Sequence, residues 1–256
     1  MPLEYEKKNK IAYITLNRPE ARNAMDFEMY EQLSKAWIDV RDDPDVWVAI
    51  ITGAGDKAFS AGRDLKTSVE QPELWHIWQT QEDMILNRGL EVWKPVIAAV
   101  NGYCLAGGMT LLLATDIRIA AEHASFGLAE VTRGLLPGNG GTQRAIQQLP
   151  YPIAMYLLLT GDRMSAQDAY RYGLVNKVVP LDELMTEAEK VAERICENGP
   201  LAVRATKELA VKGQYLPIEY GLRLEAAMRQ ILFSSEDGKE GPRAFAEKRK
   251  PVWRGK

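Results

Sequence analysis

Residues that ligate metals or cross-link chains are scarce in this sequence: two cysteines, Cys104 and Cys196, and two histidines, His76 and His123, among 256 residues. Two cysteines do not make a disulfide framework, and four such residues scattered singly form no ligand cluster, so no structural metal is expected. An excess of one charge is also missing. The 32 basic and 35 acidic residues leave a net charge of −3, which argues against a general nucleic-acid-binding surface and leaves only a local basic patch open. No apolar run is long enough to span a bilayer, since the longest, near Leu111, is short and broken by glycine, and residues 1–10 are charged rather than apolar. A soluble, cytoplasmic protein is expected.

Two common catalytic signatures are absent as well. There is no G-x-S-x-G nucleophile elbow, and although Gly102 and Gly107 have the spacing of a phosphate loop, Gly108 stands where the lysine should be. Cys104 has no histidine near it in sequence and reads as a small buried residue rather than a nucleophile.

What is present is a large apolar complement. At 46% hydrophobic residues the chain can bury a sizeable core as one domain with room for a smaller appendage. Residues 94–115 organise it. Val96 to Val100 is a short apolar run between a proline and Asn101-Gly102, the pattern of a buried strand ending in a turn. Gly107 and Gly108 then open a second apolar run suited to a buried helix. A strand thus delivers the backbone to a helix N-terminus, where unpaired N–H groups and the positive end of the dipole suit an anion. The two glycines serve either close ligand approach or close packing.

Upstream, Ile11 to Leu16 is a strand, Asp26 caps a helix from Phe27 to about Arg41, and Val46 to Ile51 is a buried strand. Phe27, Tyr30, Leu33, Trp37 and Val40 give that helix its apolar face. Residues 72–93 are mostly helical in pattern and feed the Val96 strand, so the strand–helix–strand unit repeats. Ile117 to Ala120 and Ser125 to Gly127 are short strands. Further on, helices are expected from Gly140 to Leu149, from Ile153 to Leu159 and after Ser165, whose spacing to Asp168 resembles a capping box. Leu174 to Val179 is a strand, and helices over 182–197, 201–211 and 217–233 follow. The division expected is 1–199 as an α/β core and 200–256 as a helical oligomerisation region.

Two more stretches carry chemistry. Ala61 and Gly62 bend the backbone just after the Val46 strand and its turn, in the position where open α/β sheets bind ligands. The segment reads either as a surface turn or as a second backbone donor: the N–H groups of Arg63 and Gly107 together would make an oxyanion hole. Glu130 sits among Phe126, Leu128 and Val131, where desolvation would raise its pKa toward proton-transfer duty. A solvated loop glutamate is the other reading.

Phe59 to Leu65, Lys94 to Tyr103, Ala106 to Gly108, Phe126-Gly127 with Glu130, Pro137-Gly138 with Gly140 to Arg144, Leu159 to Gly161, and Glu240 to Trp253 resemble the crotonase superfamily of enoyl-CoA hydratases and isomerases. The resemblance covers nearly the whole chain. It implies an α/β fold, a crotonase-like spiral of ββα units with a helical C-terminal trimerisation region, assembling as a homotrimer or a dimer of trimers. It also implies an acyl-CoA thioester substrate, with no cofactor beyond that coenzyme A; the charge balance and the lack of a spanning apolar run add the expectation of no nucleic acid and no membrane. Carried over by position, Arg63 and Gly107 are the oxyanion donors, and Arg22, Ala61, Asp64 and Leu65 line the CoA path. Phe245 and Lys248 would reach a neighbouring subunit's CoA. Trp75, His76 and Trp78 fall in the segment that shapes the acyl pocket, although tryptophans at that spacing also suit helix packing.

One departure bears on the reaction. Hydratases of the superfamily use two glutamates; the second is present as Glu130, but the first position holds Thr110. Threonine cannot act as a base near neutral pH. Either Glu130 does both proton transfers while Thr110 holds the water, or the reaction needs one acid/base. The expected activity is an enoyl-CoA hydratase (lyase) with a single catalytic glutamate. A 3-enoyl/2-enoyl-CoA isomerase and an aromatic enoyl-CoA hydratase-lyase are enzyme alternatives, and an RNA-binding or catalytically silent relative is the non-enzyme one.

Overall fold

A computed structural model describes residues 1–65 and 85–256. In chain order the elements are β1 (Leu3–Lys8), β2 (Ile11–Leu16), α1 (Phe27–Asp42), β3 (Val48–Gly53), β4 (Ala58–Ser60), β5 (Val96–Val100), β6 (Tyr103–Leu105), α2 (Gly107–Leu112), β7 (Ile117–Ala121), β8 (Ser125–Gly127), α3 (Gly141–Gln148), α4 (Tyr151–Thr160), β9 (Arg163–Ser165), α5 (Ala166–Arg171), β10 (Lys177–Val179), α6 (Leu184–Cys196), α7 (Pro200–Gly213), α8 (Ile218–Ser234) and α9 (Glu236–Ala246).

The strands form two sheets, ordered β1-β2-β3-β5-β7-β10 and β4-β6-β8-β9. Successive pairs β3/β4, β5/β6 and β7/β8 each place one strand in each sheet, parallel to the strand laid down before it. Helical segments follow the later pairs, which is the spiral of ββα units that the resemblance implied. β1 closes one edge antiparallel to β2, and β9 closes the other sheet antiparallel to β8.

Strand alternation splits the core in two. In β3 and β5, Ala49, Ile51, Val96, Ala98 and Val100 face the main core with α1, while Val48, Ile50, Ile97 and Ala99 face α6 through Leu184, Ala188 and Ala192. Both faces of the larger sheet are covered, so its strands read as continuous apolar runs.

Helix α1 starts where expected, the Asp26 carboxylate accepting the Met29 N–H at 2.9 Å. Its buried stripe runs through Met29, Tyr30, Leu33, Ala36, Trp37 and Val40. Phe27, expected on that face, is 57% exposed. At 100° per residue it lies beyond the stripe's edge, and Met29 takes its place. The helical pattern over 72–93 is not met where it can be checked: residues 85–93 hold a 3₁₀ turn at Leu86–Arg88 and irregular chain. β1, β4, β6, β9 and α9 had no reading in the sequence, the first for its charge, the next three for their brevity and α9 for its internal Pro242.

α2 is buried along most of its length, and its C-terminal carbonyls are collected by Arg118, which is itself buried. The guanidinium donates to Leu112 O at 3.1 Å, Thr115 O at 2.8 Å and Leu174 O at 3.1 Å. Burial lowers its pKa to about 10, so the carbonyl ring satisfies a cation that has no carboxylate on it. From Pro200 onward α7 packs on α8 and α8 on α9. No residue of α8 is buried. Among the described residues no helix is long and apolar enough to cross a membrane.

Candidate active site

β4 and β6 lie side by side and end at the two turns of interest, Ala61–Arg63 and Ala106–Gly107. Met25 flanks the first turn on the side away from β6. It donates to Gly62 O at 2.7 Å and accepts from Asp64 N at 2.9 Å. In a parallel bridge of this kind the residue straddled by the two bonds points its own N–H the other way. The Arg63 N–H is therefore turned from Met25 toward the edge on which β6 leads to Gly107.

The second turn is held by strain. Ala106 has φ 48° and ψ −121°, outside the regions an alanine ordinarily occupies, at a cost of about 1–3 kcal/mol. Its N–H donates to Gly127 O at 2.9 Å, and its carbonyl takes the Thr110 N–H at 2.9 Å to close the first turn of α2. Gly107 is then the first residue of α2, with an N–H that no intrahelical carbonyl can reach. Among the described residues neither the Arg63 nor the Gly107 N–H has a hydrogen-bond acceptor.

The turns are so close that side chains are excluded. A Cβ on Gly107 would lie 3.2 Å from Arg63 N, and one on Gly62, which has φ +95°, would lie 2.8 Å from Gly107 N. Two unpaired backbone donors in adjoining turns, one at a helix N-terminus, can hold one developing oxyanion.

Glu130 is carried by the 3₁₀ turn Ala129–Arg133, against which α4 packs. Its Oε2 is buried with no hydrogen-bond partner among the described residues. Burial raises its pKa, opposed by its own N–H and by Arg133. A carboxyl group so placed holds a proton to higher pH than a solvated glutamate and suits proton transfer to carbon.

Thr110 is 1% exposed and its hydroxyl is already engaged: it donates to Gly107 O at 3.0 Å and accepts from Asn87 Nδ2 at 3.0 Å. Asn87, in the 3₁₀ turn Leu86–Arg88, is 4% exposed, and its Oδ1 has no partner among the described residues. A buried amide oxygen left so costs about 1–3 kcal/mol. No motif in Leu86-Asn87-Arg88 signals this residue; only the tertiary contact between that turn and α2 does. Gly141, the first residue of α3, packs on Thr110, a Cβ there lying 2.8 Å from Thr110 Cγ2 and 3.7 Å from Leu128 Cδ2. Leu128 precedes Glu130 by two residues, so Thr110 and the segment that leads into the Glu130 turn meet at Gly141.

The other candidates divide. Ala61 donates its N–H to Arg22 O at 3.0 Å, and the Arg22 guanidinium lies over the Tyr103 ring at 5.7 Å. The Asp64 carboxylate is ion-paired at 3.0 Å with Arg18, which also holds Asp26 at 3.0 Å; it braces the turn after β4 against the start of α1. Leu65 is 61% exposed. Phe245 is 87% exposed near the end of α9, and Lys248 follows it at φ 52°. Among the described residues no hydrogen bond or ion pair joins either to the two turns or to Glu130. Trp75, His76 and Trp78 lie outside the described residues. Among those that are described, no group of three His, Cys, Asp or Glu could hold a metal ion.

Comparison with known proteins places this arrangement. Residues 6–256 match the family described as enoyl-CoA hydratase/isomerase. The chain is 44% identical over 255 residues to an (E)-benzylidenesuccinyl-CoA hydratase of Thauera aromatica, all of both chains being covered. It is 42% identical to a carnitinyl-CoA dehydratase of Salmonella enteritidis, over 99% of this chain and 98% of that one. Among solved structures, an enoyl-CoA hydratase of Bacillus anthracis superposes with a TM-score of 0.92 at 38% identity over the whole of both chains. Another, from Mycobacterium tuberculosis, gives 0.89 at 38% identity, over 100% of this chain and 99% of the other.

Proposed function

The chain belongs to the enoyl-CoA hydratase/isomerase family and is an enzyme of it, and from that premise we propose that it adds water to a 2-enoyl-CoA thioester, or removes it, through a thioester enolate. The observation that supports this best is the pair of unpaired amides, Arg63 and Gly107, in adjoining turns. In the proposed step the thioester oxygen sits between them. Water adds to Cβ and gives one proton to Glu130 as the π electrons move onto that oxygen. Glu130 then returns the proton to Cα and the carbonyl re-forms. The thioester is the electron sink, so the step needs no further cofactor.

Hydration is favoured over isomerisation by the company the chain keeps, since its relatives carry the names of a hydratase and a dehydratase. Arg22, Ala61 and Leu65 are proposed to line the CoA path, with Asp64 holding its turn through Arg18. We also propose a homotrimer or dimer of trimers. The support is α8, which buries none of its residues and leaves Ile218, Leu222, Ile231 and Phe233 more than half exposed. Phe245 and Lys248 would then meet a neighbour's CoA.

A panel of enoyl-CoA thioesters incubated in deuterated water and read by mass spectrometry tests the reaction class. Mass gain by addition of water is expected. Gain of deuterium alone would mean isomerisation, and chain scission would mean a lyase.

A further inference from the structure

We propose that Asn87 is the residue that holds the reacting water, its carboxamide standing in for the missing first glutamate. This rests on the enolate reading above and adds to it. The Thr110 hydroxyl was the sequence's candidate for that task, but its proton is committed to Gly107 O and one of its lone pairs to Asn87 Nδ2. The acceptor left over is Asn87 Oδ1, which is buried and has no partner among the described residues. Buried polar atoms are almost always paired, and this one belongs to a carboxamide linked through the Thr110 hydroxyl to Gly107, so it points to a donor that arrives with the reaction.

The geometry explains the exchange of residue types. A glutamate at 110 would carry its carboxylate two bonds beyond the position of the threonine hydroxyl. In this chain Asn87 Nδ2 lies 3.0 Å from that hydroxyl, so the carboxamide fills space next to it. Amide and carboxylate have the same planar shape, but the amide is neutral and cannot take a proton. The division of labour follows. One O–H of the water donates to Asn87 Oδ1 throughout and becomes the product hydroxyl. The other proton passes to Glu130 as the C–O bond forms at Cβ, and Glu130 delivers it to Cα. Asn87 orients the water while Glu130 carries the whole proton balance. Keeping position 110 neutral also means that no second carboxylate stands there to oppose the ionisation of Glu130, which burial already disfavours.

The test separates water addition from enolate formation. Wild-type enzyme, Asn87→Ala and Asn87→Asp are assayed for hydration of crotonyl-CoA and cinnamoyl-CoA, and for exchange of the α-protons of butyryl-CoA in deuterated water, which requires the enolate but no added water. Asn87→Ala is expected to lose about 10²-fold in kcat for hydration, the scale of a misplaced reactant, with α-exchange nearly unchanged. Asn87→Asp keeps an acceptor oxygen but loses the donor to Thr110 and adds a second carboxylate, so it is expected to hydrate faster than Asn87→Ala and more slowly than wild type. Equal loss of both activities in Asn87→Ala would mean structural damage and overturn the proposal. Unchanged hydration in Asn87→Ala would overturn it too, as would an Asp variant no better than the Ala variant. Wild-type enzyme that exchanges α-protons but hydrates neither probe would overturn the assignment of Asn87 alone. No exchange at all would remove the enolate reading beneath it.

Discussion

The hydroxyl oxygen of Thr110 lies 3.0 Å from the amide nitrogen of Asn87, and both side chains are buried. A longer side chain at 110 therefore has no room of its own. Thr110→Glu alone is expected to lower hydration of crotonyl-CoA and to destabilise the fold by about 1–3 kcal/mol, the cost of overpacking. Thr110→Glu combined with Asn87→Gly opens the space and should hydrate faster than the single variant, with two carboxylates in place. A single variant that gains activity by itself would show that the carboxamide is not in the way. Stopped assays and urea unfolding of the two proteins decide between these.

Gly62 is fixed twice over, by φ +95° and by the 2.8 Å between its would-be Cβ and Gly107 N. Gly62→Ala is expected to cost about 10²–10³ in kcat, the price of one oxyanion donor, and to suppress the enolate absorbance of bound acetoacetyl-CoA. Gly107→Ala brings its Cβ 3.2 Å from Arg63 N and requires a smaller shift, so it should be the milder change. Gly107→Pro deletes the N–H itself and should be the worst of the three. Similar losses for Ala and Pro at 107 would point to crowding rather than a lost donor.

These positions show how far the sequence reaches. The β5–α2 passage, the α1 cap at Asp26 and the short strands β7 and β8 were legible because apolar runs, a capping aspartate and turn glycines act locally. The candidate donors and Glu130 were legible as one of two readings of their segments, and the superfamily resemblance chose between them. β4 and β6 were not legible, since three residues carry too little pattern, although they bring the two turns together. Asn87 was invisible for another reason. Its significance is a contact across 23 positions with Thr110, made only when the 3₁₀ turn packs on α2. Phe27 misled because a stripe edge and a stripe centre look alike at three-residue spacing.

Arg118 ties the end of α2 to Leu174 through buried carbonyls. Arg118→Met would fill the volume but leave several carbonyls without a donor, each worth about 1–3 kcal/mol. A loss of at least ~3 kcal/mol in unfolding free energy is expected, and residual activity at low temperature should stay close to wild type, because the guanidinium touches no proposed site residue. A calorimetric scan showing an unchanged Tm would contradict the assignment.

Lys94 is 3% exposed, with its ammonium donating to Asp43 O at the end of α1. Burial, helped by Arg204, lowers its pKa from 10.5 to about 8. Between those values the unfolded chain binds the proton that the folded chain has released, so this group favours folding increasingly as pH rises through the window. The stability of wild type relative to Lys94→Met should therefore climb from pH 8 to 10.5, by at most about 1.4 kcal/mol per pH unit. A difference that stays flat with pH would mean that the ammonium is not desolvated.

Glu130→Gln removes the only carboxylate proposed to move a proton while keeping the shape of the side chain. Because burial makes the charged form costly, the variant should be at least as stable as wild type at neutral pH, and its CoA affinity should be nearly intact. In the wild type, kcat/KM for hydration should fall as pH drops through a value above the ordinary carboxylate range, since the carboxylate form must receive the water's proton. The most direct measurement is α-proton exchange of butyryl-CoA in deuterated water, wild type beside Glu130→Gln. Rapid exchange in the first and none above background in the second is the expected result. Equal exchange by both proteins would contradict Glu130 as the group that moves the proton.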